Sequence, residues 1–294
     1  MSQPILVTGA SGHLGQRVLE LLLERPNAPH VIATTRTPDK LRAFSARGIE
    51  VRAADFDDEA SLVKAARGAV RALLISTDEL DRPGRREAQQ ASAVRALAAG
   101  GVEYVIYTSI PNAERSKVVI AADHIATERA IVATGLDYTF LRDNLYSELL
   151  LDTLPAVIAS GQLVDARGNG KVAYVTRADC ARVAAAVLAD SKYSGKQTFD
   201  VTGPAAVSSE DLAQIASELS GQKIRHISVP LAAVNSALLQ SGYSERRAGV
   251  YASFDASVAN HELEAVADTV ERVTGRKPQS LKDFLTANRN RLTN

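Results

Sequence analysis

The chain of 294 residues carries 34 basic and 34 acidic side chains, a formal net charge of zero, with 46% apolar and 23% charged residues. That balance fits a soluble globular protein of one large or two fused domains, and it offers no basic footprint for nucleic acid. A single cysteine, Cys180, excludes an internal disulfide, and the five histidines are scattered without the spacing of metal ligands, so no metal is expected. No apolar run of about 18 residues is available to span a membrane. With no basic-then-apolar leader, the expected location is the cytoplasm.

In chain order, Ile5-Leu6-Val7 forms a short apolar run that ends in Thr8-Gly9-Ala10-Ser11-Gly12-His13-Leu14-Gly15. Helical periodicity starts at Gln16, so the stretch reads as strand, tight turn, helix. Gly9 permits the turn, Gly12 lets backbone approach a pyrophosphate, and Gly15 lets helix and strand pack closely. The free N–H groups of the first helical turn then face phosphate, which makes Gly9, Ser11, Gly12, His13, Leu14 and Gly15 candidate dinucleotide contacts. A second strand is expected over 30–35 and a helix from Thr37-Pro38-Asp39 to Gly48. A third strand over 49–54 leads through Asp55-Phe56-Asp57-Asp58 into a helix ending at 67, with Asp57 the better-placed cap. Strands over 70–76, 102–109 and 136–142 alternate with helices over 85–99 and 120–134. Six such alternations imply a Rossmann-like, doubly wound parallel sheet in an α/β protein.

Beyond Asn144 the rhythm changes. Short strands are expected at 162–164, 173–175, 198–201 and 223–229, with helices at 177–189, 209–219, 231–241, 245–258 and 280–291. The chain therefore divides into a dinucleotide-binding domain, 1–144, and a smaller α/β cap, 145–294, some of whose pieces rejoin the main sheet. The cap should roof the crevice at the carboxyl ends of the strands.

A site for NAD normally ends its second strand in Asp or Glu, which binds the ribose hydroxyls. Here the strand ends Thr34-Thr35-Arg36, with Lys40 one turn further on. Both cations suit a 2′-phosphate, so the expected cofactor is NADP(H). Asp55 and Phe56 are placed to contact the adenine.

These residues resemble the atypical short-chain dehydrogenases of the NmrA-like group, particularly its quinone oxidoreductase type 2 and triphenylmethane reductase branch. The matching pieces are Thr8–Gly15, Arg36-Thr37-Pro38-Asp39-Lys40, Ala54–Asp58, Leu74-Ile75-Ser76, Tyr107-Thr108-Ser109, His124–Glu128, Tyr138–Asn144 and Thr176-Arg177-Ala178-Asp179. Thr274-Gly275-Arg276-Lys277-Pro278 resembles the closing turn of the group. The resemblance implies NADPH as cofactor and a small C-terminal domain over the active site. His13 stands where glutamine is frequent, and Asp143-Asn144 where the branch often has Asn followed by Gly or Ala.

Ordinary short-chain dehydrogenases carry Tyr-x-x-x-Lys on the helix after the fifth strand, the lysine lowering the tyrosine pKa for proton transfer. In that register stand Ile120 and His124, with Glu128 four residues on. Alcohol–ketone chemistry by that relay is therefore disfavoured. His124 is the candidate catalytic residue, either binding the nicotinamide ribose or assisting a proton step, with Glu128 one turn away to orient it; a packed histidine is the alternative. Ser76, Thr77 and Ser109, at strand ends, are expected cofactor contacts, and Asn144 and Tyr146 are expected either at the acceptor or in loop packing.

The leading function is hydride transfer from NADPH to a flat, electron-poor, quinone-like or dye-like acceptor, which can take its proton from water. The rival is a non-catalytic NADP(H)-binding sensor that uses the same fold to meet a protein partner. An isomerase of the extended family is weaker, because it too needs the missing tyrosine and lysine. The expected partners are a small-molecule acceptor and a second copy of the chain in a homodimer.

Overall fold

The computed structural model describes residues 4–293. The first half comprises β1 (Ile5–Val7), α1 (His13–Leu23), β2 (Val31–Thr35), α2 (Arg42–Ser45), β3 (Glu50–Ala53), α3 (Glu59–Ala66), β4 (Arg71–Leu74), α4 (Arg85–Ala99), β5 (Tyr104–Ser109), α5 (Ala121–Thr134) and β6 (Asp137–Asp143). It continues with α6 (Leu150–Ser160), β7 (Gln162–Asp165), β8 (Lys171–Val172), α7 (Arg177–Ala189), β9 (Lys196–Val201), β10 (Val207–Ser208) and α8 (Ser209–Ser220). β11 (Arg225–Ser228), α9 (Leu231–Gln240), α10 (Glu245–Ala259), α11 (Thr269–Thr274), α12 (Leu281–Ala287) and α13 (Arg289–Thr293) complete it.

Seven parallel strands form the main sheet in the order β3-β2-β1-β4-β5-β6-β9. Its central strands are apolar on both faces because helices cover both. Val18, Leu19 and Leu22 of α1 pack with Val183, Val187 and Leu188 of α7 over Val7, Leu73 and Ile106. On the other face Leu62 of α3, Leu97 of α4 and Ile131 of α5 cover Leu6, Leu74 and Val105. The strand order reverses between β1 and β4, and a crevice opens there at the carboxyl ends. A third core, free of main-sheet residues, joins Leu150 and Leu154 of α6 to Leu212 of α8 and Leu285 of α12.

Several elements differ from the sequence reading. The helix expected from Thr37 is a 3-10 turn over Pro38–Leu41 followed by the four-residue α2, and the Thr37 side chain caps neither. The cap of α3 is Asp58, not Asp57: the Asp55 carboxylate accepts from the Asp57 N–H at 3.1 Å, which turns the chain so that Asp58 reaches the Ser61 N–H. The strand expected at 173–175 is displaced to Lys171–Val172, and Val175 makes only an isolated bridge to Tyr146. The helix expected over 280–291 breaks at Asn288, and α6 and α11 are additional to the expected helices. Among the described residues no helix is long and apolar enough to cross a membrane, and no group of three or more His, Cys, Asp or Glu side chains is arranged to hold a metal.

Candidate active site

The turn after β1 follows from its glycines. Gly9 adopts φ +59°, a conformation open to glycine at little cost. A Cβ on Gly15 would lie 2.5 Å from the Gly9 carbonyl and 2.7 Å from the Ala10 Cα, so helix and turn touch backbone to backbone. Gly12 is the N-cap of α1 and has no side chain to occupy the first-turn N–H groups, which lack helical acceptors. The turn is braced from both sides: Gln16 donates to the Ser11 carbonyl at 2.8 Å, and the Thr35 hydroxyl donates to Ser11 Oγ at 2.9 Å. Ser11 keeps its own hydroxyl proton for a ligand. Thr8 donates to the Leu73 carbonyl at 3.2 Å and accepts from the Ile75 N–H at 3.0 Å, which ties β1 to β4 under the crevice.

The crevice is a cavity of about 660 Å³ lined by Gly9, Ser11, Gly12, His13, Leu14, Gly15, Arg36, Lys40, Asp55, Phe56, Ser76 and Thr77. Twelve sequence-derived cofactor candidates thus share one wall system. Arg36 and Lys40 make no ion pair among the described residues, and the nearby acid Asp39 is engaged by Arg42 at 2.9 Å. Two unpaired cations beside free helix N–H groups, on a turn whose close contact with α1 a Cβ at Gly15 would break, fit the phosphates of a dinucleotide carrying a 2′-phosphate.

The sequence missed the outer wall. The loop after β4 contributes Asp78, Glu79, Asp81 and Arg82, and Arg247 of α10 closes over it. Arg247 holds the Asp81 carboxylate at 2.6 and 2.9 Å, and Arg246 donates to the Leu80 carbonyl at 2.8 Å. Gln89 and Arg177 also reach the cavity. These residues lie up to about 170 positions apart in the sequence, and apart from Arg177, which falls in the Thr176–Asp179 match, no local pattern marks them.

The remaining candidates lie behind that wall. His124 is 3% exposed, and both ring nitrogens are occupied. Arg86 is 3% exposed and can only donate, so His124 Nε2 accepts from it at 3.0 Å. Nδ1 therefore carries the proton and donates to the Tyr107 hydroxyl at 2.9 Å, which donates to Gln90 at 2.8 Å. Burial first, and the Arg86 charge second, hold the His124 pKa well below that of a free imidazole, so the ring is neutral. Burial also raises the Tyr107 pKa. The expected pairing of His124 with Glu128 is not made. Glu128 instead accepts from Ser109 at 2.6 Å and from Arg142 at 2.8 Å, which removes Ser109 from the cavity as well. The network still reaches the wall indirectly, because Arg86 Nε donates to the Thr77 carbonyl at 2.8 Å.

Asn144 is buried: its amide donates to the Leu263 carbonyl at 2.9 Å and its oxygen accepts from the Leu145 N–H at 2.8 Å. Tyr146 donates to Asp143 at 3.0 Å, with its ring under the Arg177 guanidinium at 5.3 Å. Burial raises the Asp143 pKa to about 7, against hydrogen bonds from Tyr146 and Cys180 that lower it.

A glycine turn at the switch point of a doubly wound sheet, with unpaired cations after β2, defines a dinucleotide-binding protein of the short-chain dehydrogenase class. The model of the NmrA-like family matches residues 1–285, and the chain belongs to that family. Quinone oxidoreductase 2 of Escherichia coli is 34% identical over 279 residues, 95% of this chain and 96% of the relative. The structure of the NADPH-dependent quinone oxidoreductase of Escherichia coli complexed with NADPH superposes with TM-score 0.91 at 33% identity, covering 97% of this chain and 99% of that one. The Citrobacter sp. triphenylmethane reductase complexed with NADP(H) gives 0.89 at 33% identity, over 96% and 99%.

Proposed function

We propose that the protein transfers hydride from NADPH to a flat, electron-poor, quinone-like acceptor. It is an NADP(H)-dependent oxidoreductase of the NmrA-like family, and its full-length similarity to quinone and dye reductases supports this choice of acceptor. The observation that carries the reading is the contrast between the two sides of the crevice. The cofactor side is complete, from the glycine turn to Arg36 and Lys40. The position of a catalytic lysine holds a buried, neutral histidine with no hydrogen-bonding capacity left.

NADPH, when bound, supplies the hydride. The chain's residues orient it: the first turn of α1 and Ser11 hold the pyrophosphate, Arg36 and Lys40 the 2′-phosphate, and Asp55 and Phe56 the adenine. Ser76 and Thr77 border the nicotinamide, while Ser109 and His124 brace the elements behind the wall. Catalysis rests on holding two rings in a close, oriented stack, an effect able to supply several kcal/mol of barrier reduction. An acceptor that needs no enzyme acid tolerates the missing tyrosine. Purified flavin-free protein, NADPH or NADH, and a panel of quinones, cationic dyes and ketones provide the test. Quinones should react and simple ketones should not; tight NADPH binding with no oxidation by any acceptor favours the sensor reading.

A further inference from the structure

Cations along the cavity wall are Arg36, Lys40, Arg82, Arg177 and Arg247. Arg82 pairs with Glu79 at 3.2 Å and Arg247 with Asp81 at 2.6 Å. Arg36 and Lys40 follow β2, on the adenosine side of the switch point. Arg177 stands apart from both groups. Its guanidinium forms no ion pair and no hydrogen bond among the described residues, and its backbone N–H is taken by both oxygens of Glu148 at 3.0 Å. The Glu148 carboxylate is thus turned to the first N–H of α7, which Thr176 caps, and makes no ion pair with the Arg177 side chain.

The guanidinium is nevertheless held in place. It lies 5.3 Å from the centre of the Tyr146 ring, and that ring is anchored through its hydroxyl to Asp143 and through its backbone bridge to Val175. A cation over an aromatic face is attracted to it, which holds the guanidinium beside the ring while its N–H donors stay free of protein partners. Tyr146 follows β6, which lies across β1, β4 and β5 from β2 and β3. The stack therefore belongs to the nicotinamide half of the crevice.

We propose that Arg177 is a catalytic residue for the acceptor: its guanidinium binds the acceptor's carbonyl oxygen and stabilises the negative charge that reduction places there. This rests on the quinone-reductase reading. In the step, a C–H bond of the reduced nicotinamide would break and its electron pair and hydrogen would form a new O–H bond at one carbonyl oxygen of the quinone. The displaced π electrons shift through the ring onto the second carbonyl oxygen, the one Arg177 binds, and that oxygen takes a proton from solvent, which balances as quinone plus NADPH plus one proton to hydroquinone plus NADP+. A permanently charged, planar donor pair is suited to an oxyanion that forms only as the reaction proceeds. It assists without giving up a proton.

The test uses Arg177→Met, which keeps the apolar stem, and Arg177→Lys, which keeps the charge. With 1,4-naphthoquinone the Met variant should lose roughly 100-fold in kcat, the Lys variant should recover part of that loss, and both should bind NADPH with unchanged affinity by fluorescence titration. A second arm needs no turnover. 4-Nitrophenol added to the NADP+ complex should ionise more readily on the wild-type protein than in water, seen as growth of the phenolate absorption, and the Met variant should abolish the effect. Weakened NADPH binding with normal kcat in Arg177→Met overturns the proposal, because the guanidinium then serves a cofactor phosphate. Equal nitrophenolate binding by both proteins overturns it too. If the wild-type protein reduces no acceptor, the quinone reading falls, and the nitrophenolate arm alone still decides for or against Arg177.

Discussion

Replacing His124 with alanine separates a structural from a chemical role, because the two predict opposite outcomes. The imidazole is buried between Arg86 and Tyr107, and its removal leaves Arg86 Nη2 and the Tyr107 oxygen without their partner. Arg86 has little reserve: Nη1 lacks a hydrogen bond, and its nearest carboxylate, Asp123, is 3.5 Å away. Each buried group so abandoned costs about 1–3 kcal/mol, more when charged, and the space left by the ring adds to it. A loss of about 3–5 kcal/mol is a large part of a typical stability of roughly 5–15 kcal/mol. The thermal midpoint should fall by roughly 6–10 °C, at about 2 °C per kcal/mol for a chain of this size. Below both midpoints, kcat should change far less, since the ring contacts no cavity. The same burial sets a pH dependence. The folded pKa lies below the 6.5 of the free group, so under pH 6.5 the unfolded chain binds a proton the fold refuses. Stability should then fall on acidification by up to about 1.4 kcal/mol per pH unit from this group, and the variant should lose that slope. An unaltered midpoint with a collapsed kcat refutes the structural assignment.

Arg36→Ala should shrink the preference for NADPH over NADH by roughly 10- to 150-fold, the equivalent of a charge-assisted contact of about 1.5–3 kcal/mol; parallel titrations of both cofactors measure it, and an unchanged ratio removes Arg36 as the selector. Gly15→Ala forces a Cβ to 2.5 Å from the Gly9 carbonyl, so denaturant unfolding should show a loss of about 1–3 kcal/mol together with weaker NADPH binding; wild-type values for both would sink the packing argument. Asp143→Asn removes a carboxyl whose pKa rises from 3.8 to about 7 on folding. Between those values the fold holds a proton that the unfolded chain releases, so the aspartate destabilises increasingly as pH rises; the variant should be more stable at pH 8 by a few kcal/mol and unchanged near pH 4. His226 sits between Asp165 and Glu210, each at 2.9 Å, and although burial opposes its charge these hydrogen bonds raise its pKa. Its stabilisation is full below pH 6.5 and lost as pH climbs through the raised value, so His226→Gln should flatten the alkaline side of the stability profile.

The parts of this molecule legible in the sequence are those fixed by local backbone chemistry. Gly9, Gly12 and Gly15 act within seven residues of one another, and the absence of an acid after Thr35 is a one-position fact, so this wall of the crevice could be read directly. The seventh strand is harder. Lys196–Val201 alternates exposed and half-buried residues because it is an edge strand, and its pattern says little about which sheet receives it. Pro155 interrupts the pattern of α6, whose helix is held by Leu150, Leu154 and Ile158 packing into the third core. His124 shows the opposite failure. Its register with a catalytic lysine is real, but register does not report burial, and Arg86, which fills that space, lies 38 residues earlier on another helix.

The two sides of the crevice consequently differ in how firmly they are held. On the α4–α5 side a chain of buried hydrogen bonds runs from Gln90 through Tyr107, His124 and Arg86 to the Thr77 carbonyl. In low dielectric such a chain is costly to break at any link, so Thr77 cannot shift without disturbing the core. On the outer side, the loop after β4 is joined to α10 by the Arg246 bond to the Leu80 carbonyl and by the ion pair of Arg247 with Asp81, whose side chains are 38% and 50% exposed. An exposed pair of this kind contributes about 0–1 kcal/mol and weakens with salt. A firmly held wall on one side of the crevice and a more exposed one on the other suit the proposed reaction, in which ring alignment dominates: the cofactor would keep its position against the rigid face and the proposed acceptor would pass the outer one to meet Arg177.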